Sequence, residues 1–352
     1  MTPPPARPTL KDVAAAAHVS ISTVSYALND RSQVKLAAET RARVRRVAKE
    51  LGYTPNGIAR SLQSRSSRTV GVVLSKPLTS PRYAEIVQGI SIGLQEHDLR
   101  MAVLPDMTGG SFLADCRSGL LDGLIFVGHD DVEVPDTLAE AAADGTAPLV
   151  SIDCGPPAPG ASYSSVDFAY GPGTELMLEH LEDRGITTIL HLRPEVSSRA
   201  ERERQAALMR SLGSGTSLKV VSTGLSDHDM DLVDQSPLAP RPHLRVQTER
   251  LSAALADVDV PAGQIAVLCS WGADVESALA VVRRRRPSAT VAALAGGFPS
   301  LELWSELVYS ALPLAEAGVR AAHLLASAIS PEGGLEHLVL DPVLQLPSGS
   351  AP

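Results

Sequence analysis

Aromatic residues are scarce in this chain: Phe, Trp and Tyr make up 3% of its 352 positions, so any core must be packed mainly from aliphatic side chains. Cysteine is equally sparse. Cys116, Cys154 and Cys269 are isolated and odd in number, a usage that fits a reducing cytoplasm better than a disulfide framework. No uninterrupted apolar run reaches the roughly 18 residues that a membrane-crossing helix requires. The polar, proline-rich start M-T-P-P-P-A-R-P has no apolar stretch of the kind a secretion signal carries. Local enzyme signatures are missing too. No G-x-G-x-x-G follows an expected strand, and there is no G-x-x-x-x-G-K-[ST] phosphate loop, G-x-S-x-G elbow or H-E-x-x-H pair. The histidines at 97, 129, 180, 191, 228 and 243 show no short-range metal spacing. The sequence therefore predicts no catalytic residue, no cofactor and no metal, with a distributed active site as the enzymatic alternative.

Charge of one sign is present, but in one place. Residues 1–68 hold 12 Lys/Arg against 4 Asp/Glu, a formal +8, whereas the remaining residues hold 19 against 36, a formal −17. An acidic protein thus carries a compact basic module, the electrostatic footprint of a nucleic-acid reader joined to a domain with another task.

That module reads as helices. Thr9 is an expected N-cap, with Asp12 completing a capping-box pattern, and Leu10, Val13, Ala14 and Ala17 fall on one helical face. His18-Val19-Ser20 forms a turn, and Ser20 caps a second helix over about Ile21 to Leu28. Val19, Val24 and Leu28 close against the first helix, leaving Ile21, Ser22, Ser25 and Tyr26 outward. The pair is a helix-turn-helix whose second helix is of the kind that enters a DNA major groove. A third helix, about Ala37 to Leu51, places Val44, Val47, Ala48 and Leu51 on one side, and Gly52 stops it. Arg41, Arg43, Arg45, Arg46 and Lys49 on its other faces are phosphate contacts or, on the plainer reading, a solvated surface.

From Thr69 the pattern changes to short apolar runs alternating with helical stretches. Strands are expected at Thr69–Ser75, Arg100–Pro105, Gly123–Gly128 and Pro148–Asp153, then at Thr187–Leu192, Leu218–Ser222, Gln264–Ser270 and Thr290–Ala295. Helices are expected at 81–95, 173–184, 200–212, 248–256, 273–285 and 314–329. Strands apolar in runs belong to parallel sheets covered on both faces. Two α/β lobes follow, with a ligand site in the cleft at the carboxyl ends of the strands.

The run D12-V-A-x-x-A, V19-S-x-x-T-V-S, L28-N and L51-G-Y-x-P-N-x-x-A-R-S-L62 resembles the lactose-repressor/galactose-repressor family of bacterial transcription regulators. S80-P-R-Y-A-E-I-V-Q-G-I90, D122-G-L-I125 and V166-D167 resemble its sensor domain. The resemblance implies a flexible tail (1–8), a helix-turn-helix headpiece (9–54), a hinge helix and linker (55–68), a two-lobed α/β periplasmic-binding-protein-like sensor and dimerisation domain (69–345), and a C-terminal tail (346–352). In that architecture the chain crosses between the lobes three times. A homodimer would read a pseudo-palindromic double-stranded operator. The implied DNA contacts are Thr9, Ser20, Ile21, Ser22, Thr23, Ser25, Tyr26 and Asn29, together with Tyr53, Asn56, Ala59, Arg60 and Leu62. Leu62 would wedge into the minor groove from a helix that folds on DNA, and Arg60 would pair with a phosphate; the plainer alternative packs Leu62 under the next domain.

The pattern departs from the family at His18, where a glycine is usual, at Tyr26, and at Gly272, which stands where sugar-binding members carry aspartate. Tyr83, Asp130, Asp167, Trp271 and Phe298 are the effector-site candidates, joined by Arg199, with Arg202 as the other choice for the arginine after the strand near Leu192. Lid packing or a loop cap is the alternative for Tyr83 and Asp167, and packing between lobes for Trp271. The expected ligand is a small polar effector, with a sugar, a glycoside or a nucleoside all compatible. An effector-independent regulator is the other reading, and a transport component would need export.

Overall fold

The computed structural model describes residues 8–28, 36–53, 66–104, 111–129, 132–196, 198–226, 229, 241–294, 299, 302–330 and 333–346. It divides into two compact units, Met1–Ser67 and Arg68–Pro352.

The first unit contains α1 (Leu10–Ala17), α2 (Ile21–Leu28) and α3 (Ala38–Glu50). Helix α1 starts where Thr9 and Asp12 satisfy each other's backbone: Asp12 N–H donates to Thr9 Oγ1 at 3.4 Å and Thr9 N–H donates to Asp12 Oδ2 at 2.7 Å. That bonding holds the Asp12 carboxyl below its ordinary pKa. The helix ends at His18, which takes the left-handed conformation (φ 52°, ψ 49°) and lets Val19 N–H return to the Ala14 carbonyl. Ser20 Oγ then accepts from Thr23 N–H at 3.1 Å to open α2. Val13, Ala17, Val24, Ala27 and Val44 are fully buried, with Ala14 and Ala48 nearly so. Leu51, expected on the buried side of α3, is 40% exposed. The helix has already ended there, and Gly52 (φ 67°) turns the chain so that half-buried Tyr53 joins the core instead.

The second unit is built on two six-stranded sheets. The first lobe contains β1 (Thr69–Leu74), β2 (Arg100–Leu104), β3 (Gly123–Val127), β4 (Leu149–Ile152), β5 (Ser164–Phe168) and β11 (His337–Leu340), in the order β11-β5-β4-β3-β1-β2. The second contains β6 (Thr188–Arg193), β7 (Ser217–Ser222), β8 (Ile265–Cys269), β9 (Thr290–Leu294), β10 (Val308–Ala311) and β12 (Val343–Gln345), in the order β12-β10-β9-β8-β6-β7. All described pairings are parallel except β10 with β12. The chain therefore passes between lobes three times, after β5, after β10 and after β11.

Helices α4 (Pro81–Glu96), α5 (Ser111–Arg117) and α6 (Asp136–Ala143) belong to the first lobe. The second carries α7 (Tyr170–Asp183), α8 (Arg199–Ser211), α9 (His243–Asp257) and α10 (Val275–Arg285), and α11 (Leu314–Ile329) returns to pack on α4. Helix α7 begins three residues before the expected Gly173, because the Gly-Pro-Gly run occupies a first turn whose N–H groups need no partner within the helix. Strand β5 and the short strands β10, β11 and β12 had no clear apolar run to announce them.

Helices α4 and α11 meet through glycine. A Cβ added at Gly318 would lie 2.2 Å from the Ile86 carbonyl oxygen and 2.6 Å from Ile90 N, both on α4. Backbone cannot yield as a side chain does. The Gly318→Ala substitution is expected to part the helices and cost about 1–3 kcal/mol in chemical unfolding, as overpacking generally does. Gly263→Ala, at a site with nothing within 4 Å, is the control; equal midpoints for the two variants would contradict the close contact.

Candidate nucleic-acid interface and interlobe cleft

In the first unit the capped α2 turns Ile21 (44% exposed), Ser22 and Tyr26 (41% exposed) to solvent, with Ser25 half-buried. Thr23 is half-buried and its hydroxyl bonds that of Ser20 at 2.8 Å, so this pair shapes the start of the helix while Ile21, Ser22 and Tyr26 supply its free face. Thr9 is exposed but its hydroxyl is engaged with Asp12. Arg43, Arg45, Arg46 and Lys49 are exposed along α3. One α3 charge is partly tied down at a weak 3.8 Å Arg46–Glu50 pair, and Arg45 Nε donates to the Ala27 carbonyl at the end of α2. Asn29, Asn56, Ala59, Arg60 and Leu62 lie outside the described residues.

In the second unit the carboxyl ends of β4 and β5 and the N-termini of α4, α7 and α8 converge on Asp153. This residue follows β4 in the left-handed conformation (φ 58°), 1% exposed. Its Oδ1 accepts from Tyr170 OH and Arg199 Nη2, each at 2.9 Å, and its Oδ2 accepts from Arg82 Nη2 at 2.5 Å. Burial disfavours the Arg82 charge, but Tyr170, Asp153 and Tyr83 together outweigh it and hold the guanidinium more firmly protonated than usual. Arg82 and Arg199 also lie over the Phe168 and Tyr170 rings at 5.2 and 5.5 Å.

Asp167 sits beside this cluster. Its Oδ1 accepts from Gly155 N–H at 2.8 Å and from Arg199 at 3.5 Å, while Oδ2 lies 3.7 Å from His337 Nδ1. Burial raises its pKa against the opposing pull of Gly155 and Arg199. Trp271, after β8, meets His129, after β3, edge to face at 6.2 Å. Gly272 has φ 75°, a conformation in which an aspartate would be strained, so this turn is built for glycine.

Tyr83 is placed differently from the expectation of a ring facing an effector. It is 1% exposed, its hydroxyl donates to the Gly128 carbonyl at 2.7 Å, and its ring stacks beneath His129 at 6.5 Å. It supports the cleft, and His129 takes the open position. Of the two candidate arginines, Arg199 reaches the cluster and Arg202 is exposed. Arg204 is buried with its guanidinium 4.9 Å over Tyr170. Asp130 and Phe298 lie outside the described residues. Sequence reasoning passed over Arg82, His129, Asp153, Tyr170 and Arg204. The signal available for Asp153 was its place, a carboxylate directly after an apolar strand. A cavity of about 520 Å3 lies elsewhere, on the outer face of α7 beside Glu175, Glu179, Glu182 and Asp341.

Behind the cleft, Glu201 (1% exposed) accepts from Ser270 Oγ at 2.6 Å and pairs with Arg193 Nε at 3.2 Å, tying α8 to the ends of β6 and β8. His191, fully buried nearby, has its pKa lowered to about 3, by burial first and then by Arg193 and Arg204. Below its ordinary value of 6.5 the unfolded chain takes up a proton that the folded chain refuses, so stability falls as the pH drops. Between pH 7 and pH 5 this group alone is expected to cost about 2 kcal/mol of unfolding free energy. His191→Gln should remove that increment from the pH dependence measured by urea unfolding; parallel pH profiles for parent and variant would contradict it.

Comparison with known proteins places both units. The family model described as "Bacterial regulatory proteins, lacI family" matches residues 9–56. The HTH-type transcriptional regulator CelR of Thermobifida fusca is 37% identical over 175 residues, 46% of this chain and 48% of that protein. The ribose operon repressor of Bacillus subtilis is 42% identical over 93 residues, 26% and 28% of the two chains. The chain thus spans about half or less of the length of these curated relatives. Among solved structures, the lac repressor dimer bound to operator and the anti-inducer ONPF superposes with a TM-score of 0.70 at 21% identity, covering 96% of this chain and 98% of that one. The CelR–cellobiose complex gives 0.56 at 24% identity, with coverage of 97% and 99%. At these identities the structures speak for the fold. Residues 9–56 carry the signature of the lacI family of bacterial regulatory proteins, and the unit behind them shares the two-lobed fold of the lac repressor.

Proposed function

We propose that the protein is a sequence-specific DNA-binding transcription regulator, acting in the cytoplasm as a homodimeric repressor of a metabolic operon and modulated by a small polar molecule bound between its lobes. The observation that carries the DNA reading is the α2 face. Ile21, Ser22 and Tyr26 project from a helix capped at its start, on a module of formal charge +8 within an otherwise acidic chain. Attraction to phosphate comes from the basic module and base choice from α2. Residues 55–68, proposed as hinge and linker, would place Leu62 at the operator centre. Tyr26 reads by stacking or by a single hydroxyl, where an arginine would offer a two-pronged contact to guanine.

The effector reading rests on the cleft. Asp153, Asp167, Arg199 and Arg204 offer acceptors and donors beside the aromatic surfaces of His129, Tyr170 and Trp271, a lining suited to a hydroxyl-rich ligand. A related regulator of this fold was solved with cellobiose, which supports a glycoside here. One observation favours the second reading, a regulator without an effector: Asp153 is already bonded by both Arg82 and Arg199.

Titration of the full-length protein with DNA selected from a random library is expected to give an affinity that falls steeply with salt, at about 0.9 log units per log unit of salt for each phosphate neutralised. Selection repeated with Tyr26→Arg should return a different motif from a protein of unchanged fold. A flat salt response without sequence preference would remove the DNA reading. A polyol and glycoside screen in which every stabilising ligand leaves operator affinity untouched would favour the effector-independent form.

A further inference from the structure

Besides the Tyr170 hydroxyl, which donates to Asp153 at 2.9 Å and accepts from Arg82 at 3.2 Å, three contacts of different chemistry span the two lobes. Arg199 opens α8 in the second lobe, yet its guanidinium binds Asp153 at 2.9 Å and lies 3.5 Å from Asp167, both in the first. A Cβ built on Gly155 (φ 83°) would lie 3.4 Å from Arg199 Nε, and Gly155 donates its N–H to Asp167 at 2.8 Å. Ala200, the next residue of α8, is 3% exposed and belongs to the apolar cluster of the first lobe. The third contact is the edge-to-face pair of His129 and Trp271. The N-terminus of α8 is thus docked on the opposite lobe by a charged bridge and an apolar plug, and the turn after β8 meets that lobe through an aromatic edge.

We propose that Arg199 is the latch of this cleft: its bridge to Asp153 and Asp167 holds the lobes together, and breaking it opens them. Geometry singles out this side chain. Arg199 is the residue of α8 whose cation reaches two carboxylates of the other lobe, and its side chain is 16% exposed against 1% and 4% for its partners, so solvent screens the bridge little. Arg82 stays with Asp153 when Arg199 is removed, and Gly155 stays with Asp167, so neither carboxylate loses all its partners. The cost therefore falls on lobe closure and much less on the interior of either lobe. Nη2 of the guanidinium reaches both carboxylates while Nη1 pairs with Glu203, a fork that a lysine ammonium lacks. The latch requires neither DNA nor effector, and it stands or falls separately from the regulatory reading.

Trp271 reports the state of the cleft. The chain has two tryptophans, and Trp304 lies outside the cleft, donating to Glu276 at 3.1 Å under Arg283. In a full-length Trp304→Phe background, acrylamide quenching reads Trp271 alone. Arg199→Gln is expected to raise the quenching constant roughly twofold or more and to shift the emission to the red, because the cleft opens locally. Arg199→Lys should fall between parent and Gln variant. Asp167→Asn, which keeps an acceptor for Gly155, should raise quenching in the same direction by less. Far-UV circular dichroism checks that each variant is folded. Quenching within about a tenth of the parent value in folded Arg199→Gln would overturn the latch; should that variant not fold, unchanged quenching in Asp167→Asn would overturn it instead.

Discussion

A carboxylate at 1% exposure is tolerated only when its charge is answered on every side, and Asp153 is answered by two guanidiniums and a phenol. The geometry of the larger unit follows from meeting that condition. Asp153 is aimed by a left-handed backbone directly after β4, Arg82 comes from the first turn of α4, Tyr170 opens α7 and Arg199 opens α8. Four elements from two lobes must therefore end at the same point. The apolar clusters set how each lobe packs, and the charge cluster sets where their ends meet. Burial also makes the cluster responsive, because any group that enters must replace a partner that is already bound.

The smaller unit shows the opposite economy, with little core and much local bonding. Its three helices bury short side chains, Val13, Ala14, Ala17, Val24, Ala27, Val44 and Ala48. Such a core is small, and the reciprocal Thr9–Asp12 box, the Ser20 cap and the Gly52 turn each remove orphaned backbone groups that it could not otherwise offset. His18 runs against this pattern. A left-handed histidine costs about 1–2 kcal/mol relative to a relaxed backbone. The turn accepts that strain, and the two helices keep the angle that exposes Ile21, Ser22 and Tyr26.

Much of this was legible in the sequence where one residue type has one physical use. Caps at Thr9 and Ser20, the stop at Gly52 and the phase of α2 were readable because each follows from local hydrogen bonding. The two α/β lobes were readable from buried parallel strands, whose apolar runs leave few alternatives. Leu51 departs from the expected buried side because helical phase does not say where the helix itself ends, and α3 stops at Glu50. The sequence leaves Tyr83 between ligand contact and lid packing because its position after β1 is visible there, whereas the Gly128 carbonyl that binds its hydroxyl is 45 residues away. Asp153, Arg82, Tyr170 and Arg204 went unseen for the same reason: Arg82 and Tyr170 are separated by 88 residues and meet only after the chain has crossed between lobes. Short strands such as β11 and β12, with exposed Val339 and Val343, lack the apolar run that betrays a central strand.

The dependence of the larger unit on its buried carboxylate is open to one direct measurement. Asp153→Ala leaves Arg82 and Arg199 facing a methyl group, and removing one partner of a buried pair generally costs about 3–5 kcal/mol. Urea unfolding of the full-length variant, followed by the fluorescence of Trp271 and Trp304, is expected to show a loss of that order relative to the parent. A loss below about 0.5 kcal/mol, the size of an ordinary surface substitution, would contradict the organising role assigned to Asp153.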